Sequence, residues 1–280
     1  MNNISKRIVN VLLILSCFAF LVFFLQNKII FHPFALEGPP VLPVPEFPQL
    51  KWENHIFQNS LGNNISAVFL RNESVKETSS KTVILFSHGN AGNNTHRFSK
   101  MNIIASLPAD IMIYDYSGFG YSSGSADVKT SIEDGLAALK YLKDKFGIDS
   151  KQVILYGESI GTGVTACIAN RISWNIRGIV LESGFASLKA RAAKKIPIIG
   201  PIVLVNDYPV DQLLSEYNGP LFIIHSEEDE INPYSDSQKV YEKCPSQKKH
   251  FLTLKKYSHN YPIHNDFNYL PAWKKFIESL

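Results

Sequence analysis

Short apolar runs alternate along the chain with segments in which apolar residues recur at helical spacing. Residues 153–156 and 221–224 are apolar throughout and rich in β-branched or aromatic side chains, a pattern typical of strands buried on both faces. Residues 132–142 instead place isoleucine and leucine on one helical face. This alternation predicts an α/β fold with a mostly parallel central sheet and helices on both of its faces. Further strands are predicted at 81–86, 111–114, 178–181 and 250–254, and helices at 160–171, about 185–196, 235–243 and 271–280.

Turn residues refine this outline at two places. The strand-like residues 55–57 and 65–70 flank a turn at Gly62 and Asn63, which predicts an antiparallel hairpin. Residues 131–134 (Ser-Ile-Glu-Asp) resemble a capping box, so we expect a helix to begin there. Gly147 is expected to end that helix, because glycine readily takes the left-handed conformation of a helix C-terminus.

The N-terminal segment differs from the rest of the chain. Residues 8–25 carry no charge and would span about 27 Å as a helix, close to the hydrocarbon thickness of a bilayer. No small-residue cleavage site follows them, so we expect an uncleaved transmembrane anchor within residues 1–28 rather than a cleaved signal peptide. Lys6 and Arg7 precede the run and only Lys28 follows it, which predicts a single-pass membrane protein whose domain lies on the non-cytoplasmic side.

The rest of the sequence divides into a connector and one domain. Residues 29–49 hold six of the fifteen prolines and predict an extended connector, and residues 50–280 predict one α/β domain. The 280 residues are 45% hydrophobic with a net charge of +3, which excludes a disordered chain and gives no support for nucleic-acid binding. Cys17, Cys167 and Cys244 have neither zinc-site nor disulfide-framework spacing, so we expect no metal and no cofactor.

The clearest chemical signal is the Gly-x-Ser-x-Gly motif at residues 157–161. It follows the predicted strand 153–156 and precedes the predicted helix 160–171, which is the context of a nucleophilic serine. The flanking glycines leave room for a sharp turn that would expose the Ser159 hydroxyl at the sheet edge. The alternative is a glycine-flanked serine in an ordinary helix-capping loop, but this context favours Ser159 as the catalytic nucleophile.

A nucleophilic serine needs a base and an orienting carboxylate, which follow it here in the order acid, then histidine. Asp229 is the expected acid because of its distance from the end of the predicted strand 221–224. Its competitors are Glu227, Glu228 and Glu230. His259 is the expected base because it lies nearer the end of the predicted strand 250–254 than the competing His264. We interpret His225, which precedes the acid, as structural.

The developing negative charge would need backbone N–H donors, an oxyanion hole. Ile160, at the start of the predicted helix, and Asn90, in the glycine-rich turn 87–93, are the expected donors through their backbones. A phosphate-binding loop is the alternative for that turn, but no Gly-Lys-Ser/Thr follows it. The glycine spacing in residues 115–124 departs from a dinucleotide-binding fingerprint, so we expect a loop that shapes the sheet edge, with Asp115 structural.

Together these residues resemble the α/β-hydrolase superfamily over about residues 26–280. Within it the chain is similar to membrane-anchored hydrolases related to serine aminopeptidases and depalmitoylating thioesterases. The matching segments are 26–33, His-Gly-Asn-Ala-Gly-Asn at 88–93, Asp-Tyr-x-Gly-x-Gly-x-Ser-x-Gly at 115–124, and Gly-Glu-Ser-hydrophobic-Gly at 157–161. The resemblance assigns the acid to Asp229, if one extra residue is allowed, and the histidine to His259. A second His-Asn-Asp at 264–266 keeps His264 open as the base, since Tyr261 stands where the family motif usually has aspartate.

The resemblance implies a serine hydrolase that cleaves carboxylic esters or thioesters of lipid-like or other acylated substrates through an acyl-enzyme on Ser159. The segment between Glu182 and Pro220 leaves room for only a small cap, with residues 189–211 as its core, and we expect such a cap to leave the site open to a bulky acyl carrier. Two alternatives remain. An aminopeptidase with the same triad should have acidic residues in its pocket to bind an amine, and a catalytically inactive fold would serve as a membrane-tethered binding module.

Overall fold

An eight-stranded sheet forms the centre of the fold in the computed structural model, which describes residues 3–38, 40–42, 48–73, 82–195, 197, 200, 204 and 206–280. In chain order, the described strands are β1 (His32–Pro33), β2 (Leu50–Gln58), β3 (Asn64–Asn72), β4 (Thr82–Ser87), β5 (Ala91–Gly92), β6 (Ala109–Tyr114), β7 (Val153–Glu158), β8 (Gly178–Glu182), β9 (Leu221–Ser226) and β10 (Lys249–Leu254). The described α-helices are α1 (Asn3–Ile30), α2 (Phe98–Ile104), α3 (Val128–Phe146), α4 (Ile160–Arg171), α5 (Leu188–Lys195), α6 (Val210–Leu213), α7 (Tyr234–Lys243) and α8 (Tyr269–Glu278).

The strand order across the sheet is β10-β9-β8-β7-β4-β6-β3-β2. From β10 to β6 each strand is parallel to its neighbour, while β3 pairs antiparallel with both β6 and β2. These pairings confirm the predicted mostly parallel sheet and the predicted hairpin. In a sheet of this kind the loops that follow the parallel strands meet at one edge, which is where ligands bind.

Both faces of the central strands of the sheet are buried, as in β4, β6, β8 and β9. Along β4, Val83 and Leu85 belong to one cluster of buried apolar side chains, and Ile84 and Phe86 belong to a second cluster. Successive strand residues point to opposite faces, so this division places one cluster on each side of the sheet. The continuous apolar runs in the sequence therefore reflect burial on both faces, as expected.

Helix α3 begins one turn earlier than the sequence pattern predicts. Asp127 is its N-cap: the Asp127 carboxylate accepts the Thr130 backbone N–H at 2.7 Å, and the Thr130 hydroxyl accepts the Asp127 N–H at 2.9 Å. The predicted cap at Ser131 is wrong, because the Ser131 hydroxyl donates to the Val128 carbonyl inside the helix. The predicted end is confirmed, since Gly147 follows the helix with a φ of 69°.

The N-terminal helix α1 spans most of the predicted anchor and continues to Ile30. In the part of the chain that the structure describes, no helix combines the length and the hydropathy that a membrane crossing requires. The predicted transmembrane anchor within residues 1–28, and the single-pass membrane location derived from it, are therefore not supported. The end of α1 packs on the domain instead, where Gln26 is buried and Phe31, directly after the helix, is 2% exposed.

Residues 31–36, which we call the N-terminal strap, lie between two loops of the domain. Strand β1 pairs in parallel with β5, and the Leu36 N–H donates to the Gly120 carbonyl at 2.7 Å. The Gly120 N–H in turn donates to the Phe34 carbonyl at 3.0 Å. Parts of the predicted connector (39, 43–47) and of the predicted cap (196, 198–199, 201–203, 205) lie outside the described residues.

The N-cap of α3 gives a stability prediction. Replacing Asp127 with alanine leaves an N–H of the first turn without its acceptor, so we expect Asp127→Ala to lower the free energy of unfolding by about 1 kcal/mol. Asp144→Ala, which removes an exposed carboxylate from the last turn of the same helix, should change it by less than about 0.5 kcal/mol. Urea unfolding of both variants measures the difference, and equal effects would contradict the assignment of Asp127 as the cap.

Candidate active site

Ser159 lies at the turn between β7 and α4, in a strained backbone conformation. Its φ is +53°, in the left-handed region that residues with a side chain rarely adopt. A Cβ atom at Gly157 would lie 2.4 Å from the Gly161 carbonyl oxygen, and one at Gly161 would lie 2.0 Å from the Ser87 carbonyl oxygen. Both positions must therefore be glycine for the turn to pack against itself and against the end of β4.

The structure brings Ser159, His259 and Asp229 into one hydrogen-bonded chain. The Ser159 Oγ is 3.0 Å from His259 Nε2, and His259 Nδ1 is 2.7 Å from Asp229 Oδ2. The three residues come from the turn after β7, the loop after β9 and the loop after β10. This arrangement can move a proton from the serine hydroxyl to the imidazole while the carboxylate fixes the orientation of the ring.

The Asp229 carboxylate is buried but well supplied with donors. Its Oδ1 accepts the backbone N–H groups of Ile231 at 3.0 Å and Asn232 at 2.7 Å. Burial alone would raise the pKa of Asp229, but hydrogen bonds from His225 and His259, with the Asn232 N–H, hold that pKa below its usual range. Asp229 therefore stays ionised beside His259, which is the state that an orienting carboxylate requires.

His225 holds the loop that carries Asp229 in place. It is fully buried, with Nδ1 2.6 Å from the Ser237 hydroxyl and Nε2 2.9 Å from the Asn232 carbonyl. Its Nε2 also lies 3.3 Å from Asp229 Oδ2. These contacts fit a structural interpretation of His225, since it binds the acid loop and makes no hydrogen bond to Ser159.

The two expected oxyanion donors lie beside the serine. Ile160 is the first residue of α4, where a backbone N–H has no acceptor within the helix, and Asn90 lines the same cavity as Ser159. The N-terminal strap holds the Asn90 loop, because the His32 N–H donates to Asn90 Oδ1 at 3.1 Å. Asn93 adds a second link through its side-chain N–H, which donates to the Phe34 carbonyl at 3.3 Å.

Asp115 anchors the neighbouring loop and does not reach the serine. It is fully buried, and its Oδ1 accepts the Asn94 N–H at 2.7 Å. Gly120 approaches it so closely that a Cβ there would lie 2.0 Å from Asp115 Oδ2. These contacts fit the expectation that residues 115–124 shape the sheet edge.

Four charged side chains lie next to Ser159: Lys100 and Glu182 are buried, while Arg97 and Glu158 are partly exposed. Glu158 binds Arg97 Nε at 3.0 Å and Lys100 Nζ at 3.3 Å, and Lys100 also binds Glu182 at 2.5 Å. The second oxygen of Glu182 accepts the hydroxyl groups of Tyr156 and Tyr269. Burial would raise the pKa of Glu158, but the charges of Arg97 and Lys100 outweigh it and hold that pKa below its usual range. Arg97 and Lys100 were not predicted from the sequence, because no motif or spacing links them to Glu158 and Glu182.

His264 lies on the side of the cavity that carries these charges. Its Nε2 is 3.5 Å from the Ser99 hydroxyl, and among the described residues its Nδ1 has no hydrogen-bond partner. Burial, with the nearby charge of Lys100, lowers the pKa of His264. The structure therefore brings His259, rather than His264, into contact with Ser159.

A cavity of about 1030 Å³ opens beside the Ser159 hydroxyl. Apolar side chains from α1, from the segment after β8 and from the loops after β9 and β10 line much of it: Phe18, Leu21, Ile30, Phe185, Leu188, Leu204, Ile231 and Ile263. The contribution of α1 was not expected, since its apolar residues were assigned to a membrane. Within the described ranges, no group of three or more His, Cys, Asp or Glu side chains could hold a metal ion.

Comparisons with known proteins agree with this fold. The family model described as the alpha/beta hydrolase fold matches residues 82–197. The esterase Pf2001 of Pyrococcus furiosus has a similar structure, with a TM-score of 0.68 at 18% identity, covering 88% of this chain and 98% of that one. An acetyl xylan esterase from Paenibacillus sp. R4 gives a TM-score of 0.66 at 15% identity, covering 84% of this chain and 86% of that one.

Curated relatives show a more direct sequence similarity. Alpha/beta hydrolase domain-containing protein 17C of Mus musculus is 32% identical over 184 residues, which cover 65% of this chain and 55% of the relative. The chain thus spans about half the length of the first curated relatives that it matches. The uncharacterized protein YfhR of Escherichia coli O157:H7 is 25% identical over 253 residues, covering 89% of this chain and 87% of YfhR.

The contacts of the two histidines give a prediction about the base. We expect His259→Ala to slow the reaction of Ser159 with a fluorophosphonate by about 1,000-fold or more, because the hydroxyl then has no proton acceptor. His264→Ala should retain most of the wild-type rate. The measurement is the second-order rate of inactivation for the full chain, with thermal unfolding as the folding control. Loss of reactivity in His264→Ala alone would contradict the prediction.

Proposed function

The chain belongs to the α/β-hydrolase superfamily, and on that premise we propose that it is a serine hydrolase acting on carboxylic esters or thioesters. The single observation that carries the proposal is the hydrogen-bonded chain from Ser159 through His259 to Asp229. Two structural neighbours described as esterases support ester chemistry for this fold.

The proposed reaction proceeds through an acyl-enzyme. His259 accepts the Ser159 proton while Oγ attacks the substrate carbonyl, and Asp229 stabilises the imidazolium that forms. The backbone N–H groups of Asn90 and Ile160 stabilise the oxyanion, an effect of roughly 3–4 kcal/mol for each donor. His259 then gives its proton to the leaving alcohol or thiol, and the carbonyl re-forms as that bond breaks.

Water completes the cycle. His259 accepts a proton from a water molecule, which attacks the acyl-enzyme and displaces Ser159 Oγ. The carboxylic acid leaves, and the proton returns to the serine. No step requires a metal or another cofactor, because the proton transfers and the charge stabilisation all come from residues of this chain.

The cavity supports an acyl substrate. Its volume of about 1030 Å³ and its largely apolar lining suit a small or lipid-like acyl group. We propose that α1 and the segment after β8 together enclose this group, with Phe18 and Leu21 on one side and Leu188 on the other.

The two alternatives have less support. An aminopeptidase needs free carboxylates to bind an amine, but Glu158 and Glu182, which line the cavity, are already paired with Arg97 and Lys100. Backbone strain of this kind is concentrated at functional sites, so a strained serine in hydrogen-bond contact with a histidine favours an active enzyme over an inactive binding module.

A substrate panel tests the proposal. We expect the full chain to hydrolyse p-nitrophenyl octanoate and the octanoyl thioester of N-acetylcysteamine, and to leave leucine p-nitroanilide intact. Ser159→Ala should lower kcat by about 10,000-fold or more, because the nucleophile is lost. Ser99→Ala removes another hydroxyl that lines the cavity and should retain activity.

Two results would count against the proposal. Cleavage of the anilide alone would favour the aminopeptidase. Equal ester hydrolysis by wild type and Ser159→Ala would exclude Ser159 as the nucleophile.

A further inference from the structure

One edge of a guanidinium group faces the reaction site without a partner. Arg97 binds Glu158 through Nε, and its side chain is 14% exposed. Among the described residues, neither Nη1 nor Nη2 makes a hydrogen bond, and Arg97 is one of the residues that line the cavity. The Nη1–Nη2 edge is therefore available to a bound ligand.

This edge lies beside the nucleophile. A Cβ atom placed on Gly89 would be 3.0 Å from Arg97 Nη2 and 3.6 Å from Ser159 Cβ. The guanidinium and the serine thus flank the same glycine, which adjoins the expected oxyanion donor Asn90. A substrate group bound to the edge would lie only a few bonds from the scissile carbonyl.

The charges around the cavity favour an anion there. Glu158 and Glu182 are held by Arg97, Lys100 and two tyrosines, so neither carboxylate is free to bind a cation. On the cap side Arg191 also lines the cavity, and among the described residues its buried Nη1 has no hydrogen-bond partner. The unpaired guanidinium edges of Arg97 and Arg191 therefore present positive charge to the cavity. Burial strengthens the attraction between this charge and an anion.

We propose that the Nη1–Nη2 edge of Arg97 is a carboxylate-binding subsite, so that the preferred esters or thioesters carry a carboxylate close to the scissile bond. The inference rests on the proposed function, because it names the substrate class of the same site. The planar edge presents two parallel N–H groups, which match the two oxygens of a carboxylate. The charge of Glu158 on the other side of the guanidinium favours a singly charged carboxylate over a doubly charged phosphate.

Matched pairs of small esters test the subsite. 4-Acetoxybenzoate and 4-acetoxybenzamide place a charged or a neutral group on the leaving side, and monoethyl succinate and ethyl succinamate do so on the acyl side. The readout is the ratio of kcat/KM for the acid to kcat/KM for its amide, measured with the full chain. A general loss of activity or of folded protein lowers kcat/KM for the acid and for the amide equally, so it leaves the ratio unchanged. A merely structural role of Arg97 would therefore not alter the ratio.

Arg97→Gln should lower this ratio by about 10-fold or more for at least one pair, because a charge-assisted hydrogen bond is lost. Arg97→Lys keeps the charge but not the planar edge, so it should give an intermediate ratio. Lys100→Gln is the matched control: it removes the other cation that binds Glu158 but leaves the Arg97 edge in place, so its ratio should fall much less than that of Arg97→Gln.

Three results would overturn the subsite. The first is an unchanged acid-to-amide ratio in Arg97→Gln for both pairs. The second is a fall of this ratio in Lys100→Gln that equals the fall in Arg97→Gln. The third is a wild-type chain that reacts with a fluorophosphonate but hydrolyses none of the four esters. A wild-type chain that neither reacts with a fluorophosphonate nor hydrolyses any ester would instead refute the proposed function itself.

Discussion

A contact between backbones, with no side chain between them, determines the geometry of the candidate site. Gly161 packs so closely on the end of β4 that a Cβ would overlap the Ser87 carbonyl oxygen. The chain after β4 continues directly into the loop of Gly89 and Asn90, so this contact fixes the distance between the serine turn and the expected oxyanion donor Asn90. Strained backbone persists where the surrounding structure holds it in place, and the close packing of Gly157 and Gly161 holds the positive φ of Ser159.

Buried charge is the second constraint on this region. An unpaired ion in such a site would be costly, and removing one partner of a buried pair typically destabilises a protein by about 3–5 kcal/mol. Glu158 and Glu182 avoid that cost through Arg97, Lys100 and two tyrosine hydroxyls. The same pairing leaves the outer edge of Arg97 toward the cavity, so one network both stabilises the serine turn and sets the charge that a substrate meets.

The sequence predicted the strands and the serine turn, because these features depend on residues that are close together in the chain. Strands buried on both faces produce continuous apolar runs, and the serine turn needs glycines at fixed positions, so both were predictable. The start of α3 was missed because Asp127 and Ser131 are both plausible caps, and only the packing of Ser131 inside the helix decides between them. The contacts of Arg97 and Lys100 depend on residues about 60 to 80 positions away, which no periodicity reveals. The apolar run in α1 fits a membrane or a cavity equally well, and only the folded chain shows Phe18 and Leu21 lining a cavity.

Whether Ser159 forms a covalent acyl intermediate can be measured by rapid acid quenching of the reaction with p-nitrophenyl octanoate. Because this activated ester acylates the enzyme quickly, we expect a burst of p-nitrophenol that approaches the enzyme concentration, with the acyl mass on the peptide that contains Ser159. Steady turnover with no burst and no adduct, or an adduct on another residue, would contradict it.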